Sequence, residues 1–194
     1  MHLISEKRYD QIAVNELVER ASVSRATLYL HYADKDALFA EVARQQFETV
    51  NQLFQAWHNM RDAFAESSCR KLFGLVAENS RIYSLILCDG EGLVVGTRLR
   101  GELLQRLEAR LEALLRADEA TYLNVPVELL SGFAAHALVG QLSWWLARDL
   151  PFSAETMAQI SRQLQLFGIM PFMPGATVPL FKAPNGERQT LNNE

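Results

Sequence analysis

A stripe of five leucines with helical spacing is the feature that most restricts the fold of this chain. The stripe consists of Leu99, Leu103, Leu107, Leu111 and Leu114. Steps of three and four residues place all five on one side of an α-helix, so the stretch predicts a long amphipathic helix with a buried leucine face. A stripe of this kind is typical of a core or a helix–helix seam and does not indicate a ligand site.

Turn residues are sparse through most of the 194 residues, which extends the helical prediction to the whole chain. A β sandwich would need turn signals about every 8–12 residues. Four of the six prolines instead fall after residue 170. The pattern predicts an all-α protein in which residues 171–194 form a Pro/Gly-rich tail, to which we assign no function.

Charge and sequence motifs exclude several classes of function. The net charge is −4, and residues 1–50 carry six cations against eight acids, so the chain has no bulk attraction for nucleic acid, and any such affinity would have to come from a local cationic face. The two cysteines, Cys69 and Cys88, lack metal or CxxC spacing, and we expect free thiols in a reducing compartment. His136, on an apolar helix face, is more often a core histidine than a catalytic base. We predict no enzyme activity, no metal and no cofactor.

No signal peptide and no apolar run of bilayer length is present in the sequence, so we expect a cytoplasmic protein with no membrane contact.

Residues 15–35 predict two short helices joined by a tight corner at Ser22-Val23-Ser24. Leu17, Val18 and Ala21 supply the buried side of the first helix. The second runs from Arg25 to about Tyr32, and the Ser24 hydroxyl is suited to cap it.

The second helix of this pair is too short to be stable unless it is docked, and Leu28 is its inward anchor. Its remaining face is polar and aromatic, a composition suited to reading a DNA groove. A helical corner on the surface of an unrelated α bundle would have the same spacing, so the spacing alone leaves both interpretations open.

The run from Val23 to Tyr32, followed by Asp34 to Leu38, resembles the helix-turn-helix signature of the TetR family of bacterial one-component regulators. The similarity covers about Leu3 to Leu53. It implies an all-α homodimer in which an N-terminal helix-turn-helix DNA-binding domain is followed by a helical ligand-binding and dimerisation domain. We place these domains at residues 1–46 and 47–170.

The resemblance implies that the helix-turn-helix contacts double-stranded DNA at a pseudo-palindromic operator. The expected contact residues are Asn15, Ser24, Arg25, Ala26, Thr27, Tyr29, His31, Tyr32 and Lys35. Lys35 begins the next helix, where the helix dipole disfavours a cation and a nearby DNA phosphate would compensate for it. The alternative for Lys35 is a solvated surface lysine.

Four features depart from the family pattern. Only Leu3 and Ile4 remain of a first helix, so either the chain start is misassigned or trimmed, or another element replaces that helix. Arg8 and Ser22 stand where glycine is usual, and Ala13 stands where a capping threonine is usual. Loss of that cap would weaken the following helix by ~1 kcal/mol. We expect these departures to lower stability and DNA affinity without changing the fold.

Further helices are predicted from Lys35 to about Met60 with Asp34 as cap, over 61–79, over 80–87 with Ser80 as cap, over 127–148, and after a cap at Ser153. Expected effector-pocket residues are Phe73, Tyr83, Phe133, His136 and Trp144. The last helix pair is expected to meet its twin through Leu130, Ala134, Ala137, Gln141, Trp145, Met157, Ile160 and Leu164. The alternative is that the wide apolar surface of this pair is an internal core. The inward set of the last helix is predicted as Met157, Ile160, Leu164 and Phe167.

The favoured hypothesis is a homodimeric transcriptional regulator, a repressor released from its operator by a small-molecule effector. The alternative is a helical ligand- or partner-binding protein that has lost DNA binding through its incomplete first helix.

Overall fold

The computed structural model describes residues 3–63, 65–88, 94–117 and 125–169, and all regular elements in these ranges are helical. The elements are α1 (Leu3–Glu6), a 3-10 turn (Tyr9–Gln11), α2 (Val14–Arg20), α3 (Arg25–His31), α4 (Lys35–Gln55), α5 (Met60–Ala63), α6 (Glu66–Glu78), α7 (Ser80–Leu87), α8 (Val94–Ala117), α9 (Val127–Leu146) and α10 (Ala154–Ile169). The predicted all-α fold is confirmed. The predicted tail lies outside the described residues. Within those residues, no helix combines the length and apolar character needed to cross a bilayer.

Local capping signals in the sequence fix where three helices begin. The backbone N–H of Thr27 donates to the Ser24 hydroxyl at 3.0 Å, and the N–H of Ala37 donates to the Asp34 carboxylate at 2.7 Å. At the start of α10, Ser153 accepts from the N–H of Thr156 at 3.1 Å. These bonds satisfy N–H groups that have no partner inside the helix, so the predicted caps are confirmed.

The positions that depart from the family pattern have different consequences. Arg8 has extended backbone angles (φ −61°, ψ 145°), so the left-handed strain expected there is absent. Ala13 occupies the N-cap of α2 and provides no side-chain acceptor, although the Glu16 carboxylate accepts from the Ala13 N–H at 2.9 Å. Ser22, in the corner, does adopt a left-handed conformation with φ 53°. The corner therefore holds a conformation that glycine adopts at lower cost.

α8 contacts α4, α5, α7 and α9, and its five predicted leucines are all buried. α8 packs chiefly against α9, while α10 packs against α6. The largest side chains of the core include Phe47, Phe73, Tyr83 and Trp145. The leucine stripe is thus a core seam, as its period predicted.

The end of α4 is fastened to α8 through one arginine. Arg110 donates to the carbonyl oxygens of Phe54 (3.1 Å) and Trp57 at the C-terminal end of α4. A cation is favoured at this end of a helix because the carbonyl groups there are unpaired and carry the negative end of the dipole.

Several predicted helix details are wrong. The first long helix ends at Gln55 instead of near Met60, and the predicted helix over 61–79 is divided into α5 and α6. Asn79, not Ser80, occupies the N-cap of α7. Ala21, expected on the buried side of α2, is exposed.

The prediction for α10 also needs correction, since Leu164 and Phe167 are exposed at 55% and 81%. Met157 is buried as predicted, and the rest of the buried face of α10 includes Ser161 and Gln165. A helical period identifies a face but not what covers it, and α10 has apolar residues on two faces.

Candidate nucleic-acid interface

The recognition helix candidate, α3, is held by one buried side chain and is open on its other sides. Leu28 is 8% exposed and docks the helix, as predicted. Arg25, Ala26 and Tyr29 lie on the exposed surface of α3. Within the described residues Arg25 makes no ion pair, so its guanidinium is available to an external acceptor.

One exposed residue of α3 was missed by the sequence reasoning. Leu30 is 80% exposed. It follows the inward anchor Leu28 by two residues, which is a rotation of about 200° around the helix. That rotation was a usable signal, because it places Leu30 opposite the anchor and next to Tyr29. An apolar side chain there suits contact with a thymine methyl group.

Ser24 and Thr27 act on each other at the start of α3. Their hydroxyl oxygens are 2.8 Å apart, and the Ser24 hydroxyl also accepts from the Thr27 N–H. Ser24 therefore has a structural role as the cap. Asn15 is exposed at the second position of α2.

Lys35 is neither a solvated lysine nor a free cation at the helix start. Its ammonium group donates to the carbonyl oxygens of Tyr9 (2.8 Å) and Ile12 (3.0 Å), and it lies 4.4 Å from the centroid of the Tyr9 ring. These bonds satisfy its charge inside the protein and offset the unfavourable helix dipole. Two of its three N–H donors thus join α4 to the 3-10 turn, and the phosphate contact expected of Lys35 stays a prediction.

Tyr9 completes this junction from the other side. Its hydroxyl donates to the Asp36 carboxylate at 2.7 Å, and its ring packs 5.1 Å from that of Phe39. Burial raises the pKa of Tyr9 far above its ordinary value, and the bond to Asp36 adds to the effect. The phenol therefore stays protonated and remains a donor to Asp36.

Most cations of the N-terminal region are already paired. Lys7 pairs with Glu16, Arg8 with Asp10 at 3.2 Å, and Arg20 with Glu6 at 2.7 Å. The bond from Lys7, together with the Ala13 N–H, holds the pKa of Glu16 below its usual range. These pairs leave Arg25 as the cation best placed for DNA.

An apolar groove of about 440 Å³ lies beside α3. It is lined by Leu3, Ile4, Tyr9, Ile12, Leu17, Arg20, Ala21, Val23, Thr27, Leu28, His31, Tyr32, Lys35, Leu38, Phe39 and Val42. Thr27 and His31 are exposed, and Tyr32 is half-buried. These three expected DNA contacts therefore border the groove, whereas Arg25 and Tyr29 do not line it.

The residues expected at a dimer interface divide into two groups. Leu130, Ala134, Trp145 and Met157 are buried inside the protomer, and the Trp145 indole N–H donates to the Phe152 carbonyl oxygen at 2.9 Å. Side chains covered within one protomer cannot contact a second, which corrects that part of the expectation. Ala137, Gln141 and Ile160 are half-buried, and Leu164 is exposed.

Three of the expected pocket residues also lie outside the core. Phe133, His136 and Trp144 are exposed on α9, and the His136 ring lies 3.2 Å from the Glu108 carboxylate. They do not line a described cavity of the protomer. The other two, Phe73 and Tyr83, are buried.

Together, α9 and α10 expose an apolar surface that we call the outer face. It comprises Leu129, Phe133, Gly140, Trp144, Leu164 and Phe167. The α9 members recur at steps of four and seven residues, so they share one side of the helix. A Cβ added at Gly168 would lie 2.8 Å from the Phe133 ring, which shows that the two helices meet closely there. Exposed apolar surfaces of this kind mark interaction sites.

A small cavity lies in the core of the helical domain. Its volume is about 30 Å³ and its lining is Trp57, Ala63, Cys69, Leu72, Phe73, Leu107, Leu111, Ala134, Leu138, Ser161 and Gln165. Of the expected pocket residues, it includes Phe73. Burial raises the pKa of the Cys69 thiol to about 11, so the thiol is uncharged near neutral pH. No group of three or more potential metal ligands occurs in the described part of the chain.

Two sequence profiles match the chain. Residues 1–42 match the bacterial regulatory proteins of the tetR family, and residues 65–166 match a transcriptional regulator C-terminal region. No curated protein matches the chain in sequence.

Solved structures of bacterial regulators share the fold. A TetR-family transcriptional regulator from Syntrophomonas wolfei str. Goettingen superposes with a TM-score of 0.68 at 14% identity, over 90% of this chain and 92% of that chain. The regulator FadR from Bacillus subtilis, in complex with stearoyl-CoA, gives 0.68 at 18% identity, over 87% and 94%. The fatty acid degradation regulator FadR from Bacillus halodurans gives 0.66 at 20% identity, over 87% and 91%.

At these identities the structural likeness concerns the fold alone, and the assignment rests on the profiles. They cover the helix-turn-helix and, in the second case, more than half of the chain. The chain belongs to the TetR family of bacterial transcriptional regulators.

Proposed function

We propose that the protein is a cytoplasmic homodimeric repressor that binds a pseudo-palindromic operator through α3 and leaves it when a small molecule binds the helical domain. The observation that carries this proposal is the exposure of Arg25 and Tyr29 on a short helix docked by Leu28 and capped by Ser24. Docking fixes the helix, and the outward donors and ring suit base edges and phosphates.

The DNA contacts that we propose differ in their expected contribution to binding. Arg25 and Tyr29 are the principal side chains, with Ala26, Thr27 and Leu30 beside them and Asn15 at a phosphate. Because the other cations near α3 are paired, few phosphates would be neutralised, and we expect a shallow salt dependence of the affinity.

The dimer is proposed to form through the outer face of α9 and α10. Its exposed aromatic and aliphatic side chains are the composition of an interface core. Twofold pairing would set two α3 helices about 34–36 Å apart, one turn of the double helix. The division between domains at residues 46 and 47 remains a proposal, and it falls inside the continuous helix α4.

The effector is proposed to bind at the core cavity. Support comes from its apolar lining and from Trp57, which follows the last turn of α4 and is part of the cavity wall. A ligand that displaces Trp57 would move α4 and shift the spacing of the two α3 helices. FadR from Bacillus subtilis, which has a similar fold, was solved in complex with stearoyl-CoA. The lining of the present cavity has no Asp, Glu, Lys or Arg among the described residues, so an uncharged, largely apolar molecule suits it better than the charged CoA group.

Fluorescence anisotropy with DNA from upstream of the protein's own gene tests this proposal. We expect saturable binding at physiological salt that competing random DNA does not remove, and release by an effector. Equal affinity for the upstream and random DNA would contradict it.

The second candidate function is a helical ligand- or partner-binding protein without DNA binding. The apolar groove beside α3 favours it, because an open groove leaves α3 less firmly supported. Systematic selection from random DNA separates the two functions. Enrichment of a symmetric sequence supports the repressor, whereas recovery of no sequence supports the second candidate.

A further inference from the structure

Two buried polar groups beside the core cavity have no partner among the described residues. They are the indole N–H of Trp57 and the side-chain oxygen of Gln165. Each side chain is only 4% exposed, and both residues line the cavity. A buried donor or acceptor without a partner is costly, so such a pair calls for a third group that satisfies both.

The hydrogen bonds of Gln165 define which of its atoms is open. Its amide nitrogen donates to the carbonyl oxygen of Ala134 at 3.1 Å. Reversing the amide would set two oxygen acceptors against each other, so the side-chain oxygen is the atom left for a partner. Gln165 therefore needs a donor from a ligand, while the Trp57 indole N–H needs an acceptor.

The other residues that line the cavity are uncharged. The described lining residues include no Asp, Glu, Lys or Arg, and the Cys69 thiol is uncharged near neutral pH. Arg162 acts on the Cys69 thiol from nearby but does not line the cavity, so an ionised ligand would lose its hydration here without a charged partner in the lining, which is unfavourable.

We propose that the cavity recognises a small, uncharged and largely apolar molecule bearing an amide- or hydroxyl-type group that accepts from Trp57 and donates to Gln165. The inference rests on the proposed effector function and specifies its chemistry. Trp57 and Gln165 are thus the residues that select the ligand.

The cavity has to open before such a molecule can enter. A volume of about 30 Å³ is room for no more than about two or three water molecules, at roughly 10–15 Å³ each. A ligand with a ring would spread α8, α9 and α10 and displace Trp57. Binding is therefore coupled to a movement at the end of α4, and water alone in the cavity would produce no such movement.

Isothermal titration of the full chain with three matched probes tests the inference. Toluene offers no polar group, benzoate offers acceptors and a charge, and benzamide offers an uncharged donor and acceptor. We expect benzamide to bind at least tenfold more tightly than either of the others, and to raise the melting temperature. Equal binding of all three probes, or binding of none, would overturn the inference.

Two substitutions test whether Trp57 and Gln165 cause the preference for benzamide. Trp57→Phe removes the donor and Gln165→Met removes the acceptor, and each should lower the benzamide-to-toluene affinity ratio to about two or less. Lys71→Ala, at an exposed site on α6, should leave the ratio unchanged. An unchanged preference in both folded variants would overturn the inference. So would higher stability in both with no probe binding to the parent, since the two groups would then serve buried water only.

These titrations contain no DNA, so they test the ligand chemistry of the cavity independently of the proposed repressor function. A protein that binds its operator but discriminates none of the probes keeps the repressor function and loses this inference. A protein that prefers benzamide but binds no DNA keeps the ligand chemistry and loses the repressor function. If one variant does not fold, the other variant and the three-probe comparison on the parent still decide.

Discussion

The Lys35 ammonium group lies 2.8 Å from the Tyr9 carbonyl oxygen and 4.4 Å from the centre of the Tyr9 ring, so one side chain joins the start of α4 to the 3-10 turn. A second bond, to the Ile12 carbonyl oxygen, completes the junction. The two partners are 26 and 23 residues away in sequence. The position of the 3-10 turn relative to α4 therefore depends in part on a residue that the sequence pattern assigned to DNA.

Loss of Lys35 is expected to destabilise the protein. In Lys35→Met the long side chain is kept while two half-buried carbonyl oxygens lose a charged donor, which should cost about 1–3 kcal/mol. Urea unfolding followed by circular dichroism measures the change. Equal stability of the variant and the parent, with DNA affinity alone reduced, would instead favour a phosphate contact.

Loss of Arg25 is expected to act on DNA binding and leave stability unchanged. Arg25→Ala should weaken operator binding by about 10- to 100-fold, the loss of one good base contact. Anisotropy titrations at several salt concentrations measure it, with Lys71→Ala as the control for removal of a cation elsewhere. If both variants bind equally well, Arg25 does not contact the operator.

Two substitutions in the corner of the helix-turn-helix are expected to change the stability of the protein in opposite directions. Ser22→Gly removes the side chain from a left-handed backbone position (φ 53°) and should stabilise the protein by about 0.5–1 kcal/mol. Ser24→Ala removes the cap of α3 and should destabilise it by ~1 kcal/mol. Thermal unfolding of both variants measures the two changes, and a shift in the same direction for both would contradict the assigned roles.

If the outer face is the dimer interface, charged substitutions on it should disrupt the dimer. Phe167→Lys and Leu164→Lys place charges on an apolar surface and should convert a dimer to a monomer, as measured by analytical ultracentrifugation. Val94→Lys is the control, since Val94 is an exposed apolar residue at the start of α8 and is not part of the outer face. Dimers that persist in both α10 variants would place the interface elsewhere.

Burial of the Cys69 thiol is expected to lower its reactivity and to make the stability of the protein depend on pH. The pKa of this thiol is raised to about 11 from 9.0, so at pH 8 its thiolate fraction is about 100-fold below that in the unfolded chain. Reaction with a disulfide reagent should slow at least that much on folding, measured in a Cys88→Ser background. Between pH 9 and 11 the unfolded state loses this proton first, so stability should fall over that window, and less so in Cys69→Ser. Equal reaction rates in the folded and unfolded chain would contradict the burial.

Features set by neighbouring residues were predictable from the sequence. The caps at Ser24 and Asp34 act within three residues, and Leu28 is the anchor that the period of α3 indicates. Helical periodicity likewise identified the buried leucines of α8. In these cases the partner groups lie within a turn or on the same helix face, so local sequence contains the information.

Features set by distant partners were not predictable. The bonds of Lys35 to the 3-10 turn, and of Gln165 to Ala134 across 31 residues, depend on how the helices pack. The outward position of Phe167 was missed for a related reason. An apolar residue at helical spacing indicates burial, but it does not indicate whether the cover is the same protomer or another molecule.

Selection of DNA ligands from a random pool, followed by footprinting, measures whether α3 reads an operator. We expect enrichment of one twofold-symmetric sequence whose half-sites are centred about 10–10.5 base pairs, or a multiple of that, apart, with protection lost in Tyr29→Ala. Enrichment of no sequence, or full protection by the Tyr29→Ala variant, would contradict the claim that α3 reads the operator.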